Sequence, residues 1–321
     1  MKIGIIGTGA YAISLASILE NKDIHIKMWT KLENEFNELT TKHTNSSIIN
    51  YELSDKVSFT MDIKELILES DALILAIPAK FVKDTVKEMK GYVKNQHILI
   101  ATKGCEVNSN MLLHDYLKKE LKTNKMACIS GPSFAVDVIK KEPIGLTLAS
   151  KNKTTISYFY ELFSDISYLS IETINDIIGC ELCGILKNIM AIFTGILDGM
   201  KVTHSTNAKF LVEASLEIQK IIKIFGGNNK TFYTYAGFGD FILTCTSINS
   251  RNYTFGKLIG ENKDFKTYQK NTTIEGLENL DTIKDLLQEK RINSRIIDLL
   301  YEIVYLSKPK ELILEYLKHE K

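Results

Sequence analysis

Proline, arginine and cysteine are scarce in this chain, and each scarcity narrows what it can be. Of 321 residues, four are proline and five are cysteine. Beyond Pro143 only Pro309 remains, so little interrupts long helices in the second half. An odd cysteine count in a chain of this size does not suggest a disulfide framework. Cys180 and Cys183 have C-x-x-C spacing. With no thioredoxin-like setting and no second ligand pair, packing in a helix is their expected role. The histidines, at 25, 43, 97, 114, 204 and 319, are scattered without metal spacing, and no structural metal is expected. A net charge of +1 offers no broad basic field. That argues against nucleic acid or an anionic membrane as principal partner and leaves small anionic ligands open. No apolar segment reaches the ~20 residues of a membrane span; residues 185–197 come nearest and carry Lys187 and Asn188. A cytoplasmic protein with no stable membrane insertion is expected.

Hydrophobic and charged fractions of 45% and 25% are those of a globular chain long enough for two cores. The opening residues are the most informative. An apolar run, Lys2-Ile3-Gly4-Ile5-Ile6, leads into Gly7-Thr8-Gly9-Ala10-Tyr11-Ala12, and helical periodicity follows over residues 13–19. The order reads strand, tight turn, helix. Gly7 permits the turn, Gly9 lets backbone approach a pyrophosphate, and small Ala12 lets helix pack on strand. Amides at the helix start then face an anion. A signal-peptide core is the alternative, disfavoured because a second strand over residues 24–29 follows at once with no clear basic leader. Short β-rich runs at 57–59, 72–77, 98–102, 126–129, 144–148 and 168–171 alternate with helical stretches. That alternation predicts an α/β fold with an N-terminal Rossmann-type doubly wound parallel sheet over residues 1–173. A C-terminal all-helical domain is expected over 174–321, with loops at 226–229 and 246–252.

Ligands in such sheets sit beyond the carboxyl ends of the strands. Two strand ends are notable there, Lys103-Gly104 and Ser130-Gly131-Pro132-Ser133-Phe134, although a solvated lysine and an ordinary turn would read the same. After the second strand, where an acid would hold an adenosine ribose, the chain has Trp29-Thr30-Lys31. Lys31 would attract a 2′-phosphate, so NADPH is expected to be accepted at least as well as NADH; a plain surface lysine is the alternative. From 182 to 200 the helical pattern is apolar on nearly every face, with Lys187 and Asp198 its only charged residues. A buried ammonium either loses proton affinity or needs a partner, and a lysine so tuned suits proton transfer unless its stem reaches water. Asn188 beside it could orient a polar group. Asp240 and Thr244 lie four apart, on one face if helical; Asp240 could equally be an N-cap. Arg251 is one of three arginines. Between Ser250 and Asn252 its planar fork suits a phosphate, with helix capping or a surface ion pair the alternative.

Taken together, these residues resemble the bacterial-type NAD(P)-dependent glycerol-3-phosphate dehydrogenases. The matching elements are the glycine turn, Lys103-Gly104, Gly131-Pro132-Ser133-Phe134-Ala135, Lys187-Asn188, Ala236-Gly237-Phe238-Gly239-Asp240, Ser250-Arg251-Asn252 and Ile274-Glu275-Gly276. The resemblance implies reduction of dihydroxyacetone phosphate to sn-glycerol 3-phosphate by NADPH or NADH, supplying glycerophospholipid synthesis. It implies that Lys187 exchanges the proton, with Lys103, Asp240 and Asn188 in the catalytic group. The implied substrate shell is Lys103, Gly131, Ser133, Lys187, Asp240, Thr244, Ser250, Arg251 and Asn252. Cofactor contacts are implied at Gly7, Gly9, Ala10, Tyr11, Ala12, Lys31, Lys103, Ala135, Arg251, Thr273 and Glu275. Tyr11 departs from the usual tryptophan, and Lys31 from the usual arginine. Two rivals remain at this level: a reductase of keto acids, in which Arg251 would grip a carboxylate, and a non-catalytic sensor of NAD(P)H. A homodimer through apolar helical faces is compatible with the sequence.

Overall fold

The computed structural model describes residues 1–48, 50–106 and 109–319. The first half runs β1 (Lys2–Ile6), α1 (Ala10–Leu19), β2 (His25–Trp29), α2 (Glu33–Lys42), β3 (Val57–Thr60), α3 (Ile63–Glu69), β4 (Ala72–Leu75), α4 (Val82–Met89) and β5 (His97–Ile100). A short ribbon of β6 (Cys105–Glu106) and β7 (Met111–Leu112) precedes α5 (Leu113–Leu121), β8 (Met126–Ser130), α6 (Ala135–Val138), β9 (Ile144–Ala149), α7 (Lys153–Phe163) and β10 (Leu169–Ile174). From there the elements are helical: α8 (Ile177–Gly199), α9 (His204–Ile224), α10 (Asp240–Thr246), α11 (Arg251–Gly260), α12 (Phe265–Asn271), α13 (Glu275–Glu289), α14 (Arg295–Tyr305) and α15 (Leu312–His319).

The sheet has the order β10-β9-β8-β5-β4-β1-β2-β3. From β3 to β8 every pairing is parallel, with the chain reversing direction of travel at β1 and β4. That is the doubly wound arrangement, and it opens a crevice beyond the carboxyl ends of β1 and β4. The expectation of a parallel sheet needs one correction. β9 pairs antiparallel with β8, in the register Ile129↔Leu148, while β10 runs parallel to β9. The link from β8 to β9 holds only the single-turn α6, with no crossover helix of the kind that joins the parallel strands.

The loop expected at 246–252 is shorter than its sequence suggests. Ser250 accepts a hydrogen bond from Tyr253 N at 3.3 Å and caps α11, so Arg251 and Asn252 form its first turn. The apolar segment around Lys187 is correspondingly longer than expected: α8 has 23 residues, long and apolar enough to cross a membrane by length and composition. Here 94% of its most apolar window is buried in the protein. Helices α9, α10, α11 and α13 pack around it, and Phe193 stacks on Phe210 of α9 with ring centroids 4.2 Å apart. Asp176 starts α8 by accepting from Gly179 N at 3.1 Å, and it also takes Asn228 N and the Thr231 hydroxyl. One carboxylate thereby ties the helix start to the segment after α9.

Candidate active site

The glycine turn leaves an uncapped helix start and open space at Gly9. Gly7 has φ +122°, and a Cβ there would overlap the Ala76 carbonyl, so only glycine fits. Gly9 is the α1 N-cap, contributes no side chain to the cap, and has open space where a Cβ would stand. The first amides of α1 are therefore left for an anion arriving from the crevice. Ala12 is fully buried against the sheet. Ala10 and Ala135 lie half-buried at the starts of α1 and α6.

Across the crevice, α8 presents Lys187, 5% exposed, and α10 presents Asp240, 1% exposed. The Lys187 ammonium donates to Asp240 Oδ1 and, at 2.9 Å, to Thr244 Oγ1. Lys103, one residue past Thr102 at the end of the β5 segment, donates to the other oxygen, Asp240 Oδ2, at 2.8 Å. Two ammonium groups thus share one buried carboxylate. Asp240 and Thr244 share a face of α10, as their spacing predicts, and Asp240 is the first helical residue rather than the cap. Burial drives the Lys187 pKa down to about 8, and the neighbouring Lys103 charge adds to this, outweighing the pull of Asp240. For Lys103 burial also opposes the charge, but Asp240 wins and raises its pKa. Burial likewise works against the Asp240 carboxylate, yet the two lysines hold its pKa below the usual range. The site therefore holds a firm cation, a firm anion and one amine that titrates near neutrality.

The other residues named from sequence fall around this triad to different degrees. Tyr11 reaches it: its hydroxyl is 3.5 Å from Ser133 Oγ, and Lys103 Nζ is 5.7 Å from its ring centre. Burial raises the Tyr11 pKa. Gly131 packs against the backbone of β9, and Ser133 donates to its carbonyl at 3.0 Å. Asn188 and Asn252 form a second layer. Asn252 Nδ2 donates to Asn188 Oδ1 at 3.0 Å, and Asn252 Oδ1 accepts from Gly276 N at 2.8 Å. Asn188 Nδ2 donates to Glu275 Oε2 at 2.9 Å, and Glu275 Oε1 lies 3.4 Å from the Arg251 guanidinium. Arg251 keeps half its side chain exposed, and Thr273 is half-buried just before α13. Lys31 is the outlier. Its side chain is 68% exposed and its ammonium is 2.6 Å from Glu88 Oε1 on α4.

Sequence reasoning missed two groups. Ser130 Oγ donates to Asp240 Oδ2 at 3.3 Å; it ends β8 beside the named glycine and could have been found from that address. Glu35 on α2 accepts from the Thr8 and Thr30 hydroxyls, the latter at 3.1 Å, and nothing local marks it among the neighbouring acids of α2. Cys180 and Cys183 are buried on α8 with free thiols, in keeping with a packing role.

Known proteins are similar to this chain along nearly its whole length. A sequence model described as NAD-dependent glycerol-3-phosphate dehydrogenase N-terminus matches residues 2–156, and its C-terminal counterpart matches residues 176–315. A glycerol-3-phosphate dehydrogenase [NAD(P)+] of Staphylococcus saprophyticus is 30% identical, covering 96% of this chain and 95% of its own length. One from Clostridium perfringens is 30% identical over 95% and 93% respectively. The crystal structure of glycerol-3-phosphate dehydrogenase from Coxiella burnetii superposes with a TM-score of 0.93 at 29% identity, covering 99% of both chains.

Proposed function

Because the chain belongs to the NAD-dependent glycerol-3-phosphate dehydrogenase family, we propose that Lys187 is the residue that exchanges a proton with the substrate in this enzyme's reaction. That reaction is the NAD(P)H-dependent reduction of dihydroxyacetone phosphate to sn-glycerol 3-phosphate. The observation that carries the assignment is the buried Lys187 ammonium, lowered to about 8 and held between Asp240 and Thr244.

Reduction adds a hydride to the ketone carbon and a proton to its oxygen; bound NAD(P)H supplies the hydride. The residues present fit such a cofactor, since the glycine turn leaves free amides and an open face. Gly7, Gly9, Ala10, Tyr11, Ala12, Ala135, Thr273 and Glu275 are proposed as its contacts. Lys187 Nζ gives its proton to the carbonyl oxygen, which an amine titrating near neutrality does readily in either direction. Lys103, whose charge is secure, opposes the negative charge developing on that oxygen. Asp240 keeps both amines aimed, and Asn188, Asn252 and Ser130 hold the helices and strand end that carry them. Arg251, with the N-cap Ser250 and Asn252 beside it at the start of α11, is assigned to the phosphate, with Gly131, Ser133 and Thr244 completing the substrate shell.

The same proposal divides the chain at residue 173, supported by the end of β10 at Ile174 and the start of α8 at Ile177; residues 320 and 321 of the helical part lie outside the described residues. It makes the protein a cytoplasmic source of glycerol 3-phosphate for phospholipid synthesis. The exposed Val212 and Leu216 on α9 supply an apolar surface for a homodimer. Oxidation of reduced nicotinamide, followed with dihydroxyacetone phosphate, phosphate-free dihydroxyacetone and a panel of keto acids, tests the reading. Turnover is expected with the phosphorylated ketone alone, and equal use of the phosphate-free ketone would remove Arg251 from the assignment.

A further inference from the structure

We infer that Glu35 selects the cofactor, so that this enzyme binds NADH in preference to NADPH; the inference rests on the dehydrogenase reading above. In a doubly wound sheet the adenosine ribose lies beyond the ends of the first two strands, beside the glycine turn, where an acid accepts from its 2′-hydroxyl. Directly after β2 this chain has Thr30 and Lys31, and no acid.

The helix that follows, α2, supplies one instead. Ile6 and Trp29 are register partners, and Gly7 N donates to Trp29 O at 2.9 Å. The chain therefore leaves β1 through Thr8 and β2 through Thr30 side by side. The Glu35 carboxylate reaches over from α2 and accepts both threonine hydroxyls on Oε2. Asn45 Nδ2 fixes the same turn by donating to the Thr8 carbonyl at 3.0 Å. With Oε2 engaged, Oε1 is left to accept from a ribose hydroxyl, and the carboxylate charge is fixed at the strand ends. A 2′-phosphate arriving there meets like charge at close range, while a 2′-hydroxyl meets an acceptor.

Lys31 does not reverse the balance. Its ammonium is 2.6 Å from Glu88 Oε1, an exposed pair worth little by itself, so a 2′-phosphate recruiting Lys31 shares it with one acid and lies near a second. The inference runs against the cofactor expectation drawn from Lys31 alone.

Direct titration of the purified protein with NADH and with NADPH, without substrate and followed by nicotinamide fluorescence, tests the inference. NADH should bind about tenfold more tightly or better, the ordinary effect of one misplaced charge. Glu35→Gln keeps an oxygen for the two threonines and removes the charge. It should strengthen NADPH binding and weaken NADH binding, bringing the two within about threefold. Equal binding of the two nucleotides by the unaltered protein overturns the inference whether or not the variant folds. So does a Glu35→Gln protein of unchanged melting temperature whose preference is unchanged. Absence of binding by both nucleotides overturns the dehydrogenase reading, and this one with it.

Discussion

A lysine buried on an apolar helix is costly to keep charged, and Lys187 meets that cost with only half a carboxylate, since Lys103 claims the other oxygen of Asp240. Its pKa of about 8 follows from burial, which Asp240 only partly offsets and the Lys103 charge reinforces, and it fixes the direction of the pH dependence. Reduction needs the ammonium form, so kcat for dihydroxyacetone phosphate should hold at neutral pH and fall as pH rises through about 8. Oxidation of glycerol 3-phosphate needs the free amine and should rise over the same interval; parallel profiles in the two directions would remove Lys187 as the proton carrier. Lys187→Ala should retain cofactor binding and lose ~10³-fold or more in kcat, the scale on which proton transfer and charge stabilisation vanish together. Single-turnover kinetics beside a binding titration checks this. Lys187, Lys103 and Asp240 could be picked from sequence because each breaks a local pattern: a charge in an apolar helix, a cation at a strand end, an acid after paired glycines. Glu35 breaks none. It lies on a charged helix with Glu33 and Glu38 nearby, and only its meeting with Thr8 and Thr30 sets it apart.

Two elements decide how firmly the site is held. Helix α11 crosses α8 along facing glycines, where a Cβ on Gly256 would overlap the Ile192 carbonyl and one on Gly195 the Tyr253 carbonyl. Backbone meeting backbone cannot yield as a flexible side chain does, so Gly256→Ala should destabilise the protein by about 1–3 kcal/mol or more. It should also raise KM for the phosphorylated substrate, because α11 carries Arg251; thermal melting and steady-state kinetics give the two readouts. Helix α5 is joined to α8 by a buried pair. Glu181 accepts from His114 N at 2.9 Å and meets His114 Nδ1 at 2.6 Å. Burial works against charge on His114, but Glu181, aided by Asp115 and opposed by Lys151, raises its pKa above the usual 6.5. A raised histidine contributes stability that is complete below its unfolded value and lost as pH rises through its folded value. The melting temperature should therefore decline across neutral pH in the unaltered protein, and His114→Gln should flatten that slope.

At the scale of the molecule, the sheet half and the helical half share polar links, two of them wholly or partly buried. Lys103 meets Asp240, the Thr147 hydroxyl accepts from Ala236 N at 2.9 Å, and Glu172 accepts from Tyr235 N at 2.6 Å. Separating the halves would strand these groups, a penalty large against ordinary net stability. Calorimetry should accordingly show one unfolding transition, shifted upward by saturating cofactor; two well-separated transitions would mean that the links are weak. The sequence by itself determined the strand–turn–helix opening, the alternation that makes a doubly wound sheet, the helical second half and the presence of a lysine inside an apolar helix. All of these rest on local physics: residue period, the φ that only glycine tolerates, and charge out of place in an apolar run. Tertiary structure alone decided that β9 turns back against β8, that Asp240 is divided between two lysines, that Lys31 is drawn off by Glu88 and that Glu35 meets Thr8 and Thr30. Each of these depends on groups from different elements whose approach leaves no periodic or compositional trace, because it is set by how whole elements pack.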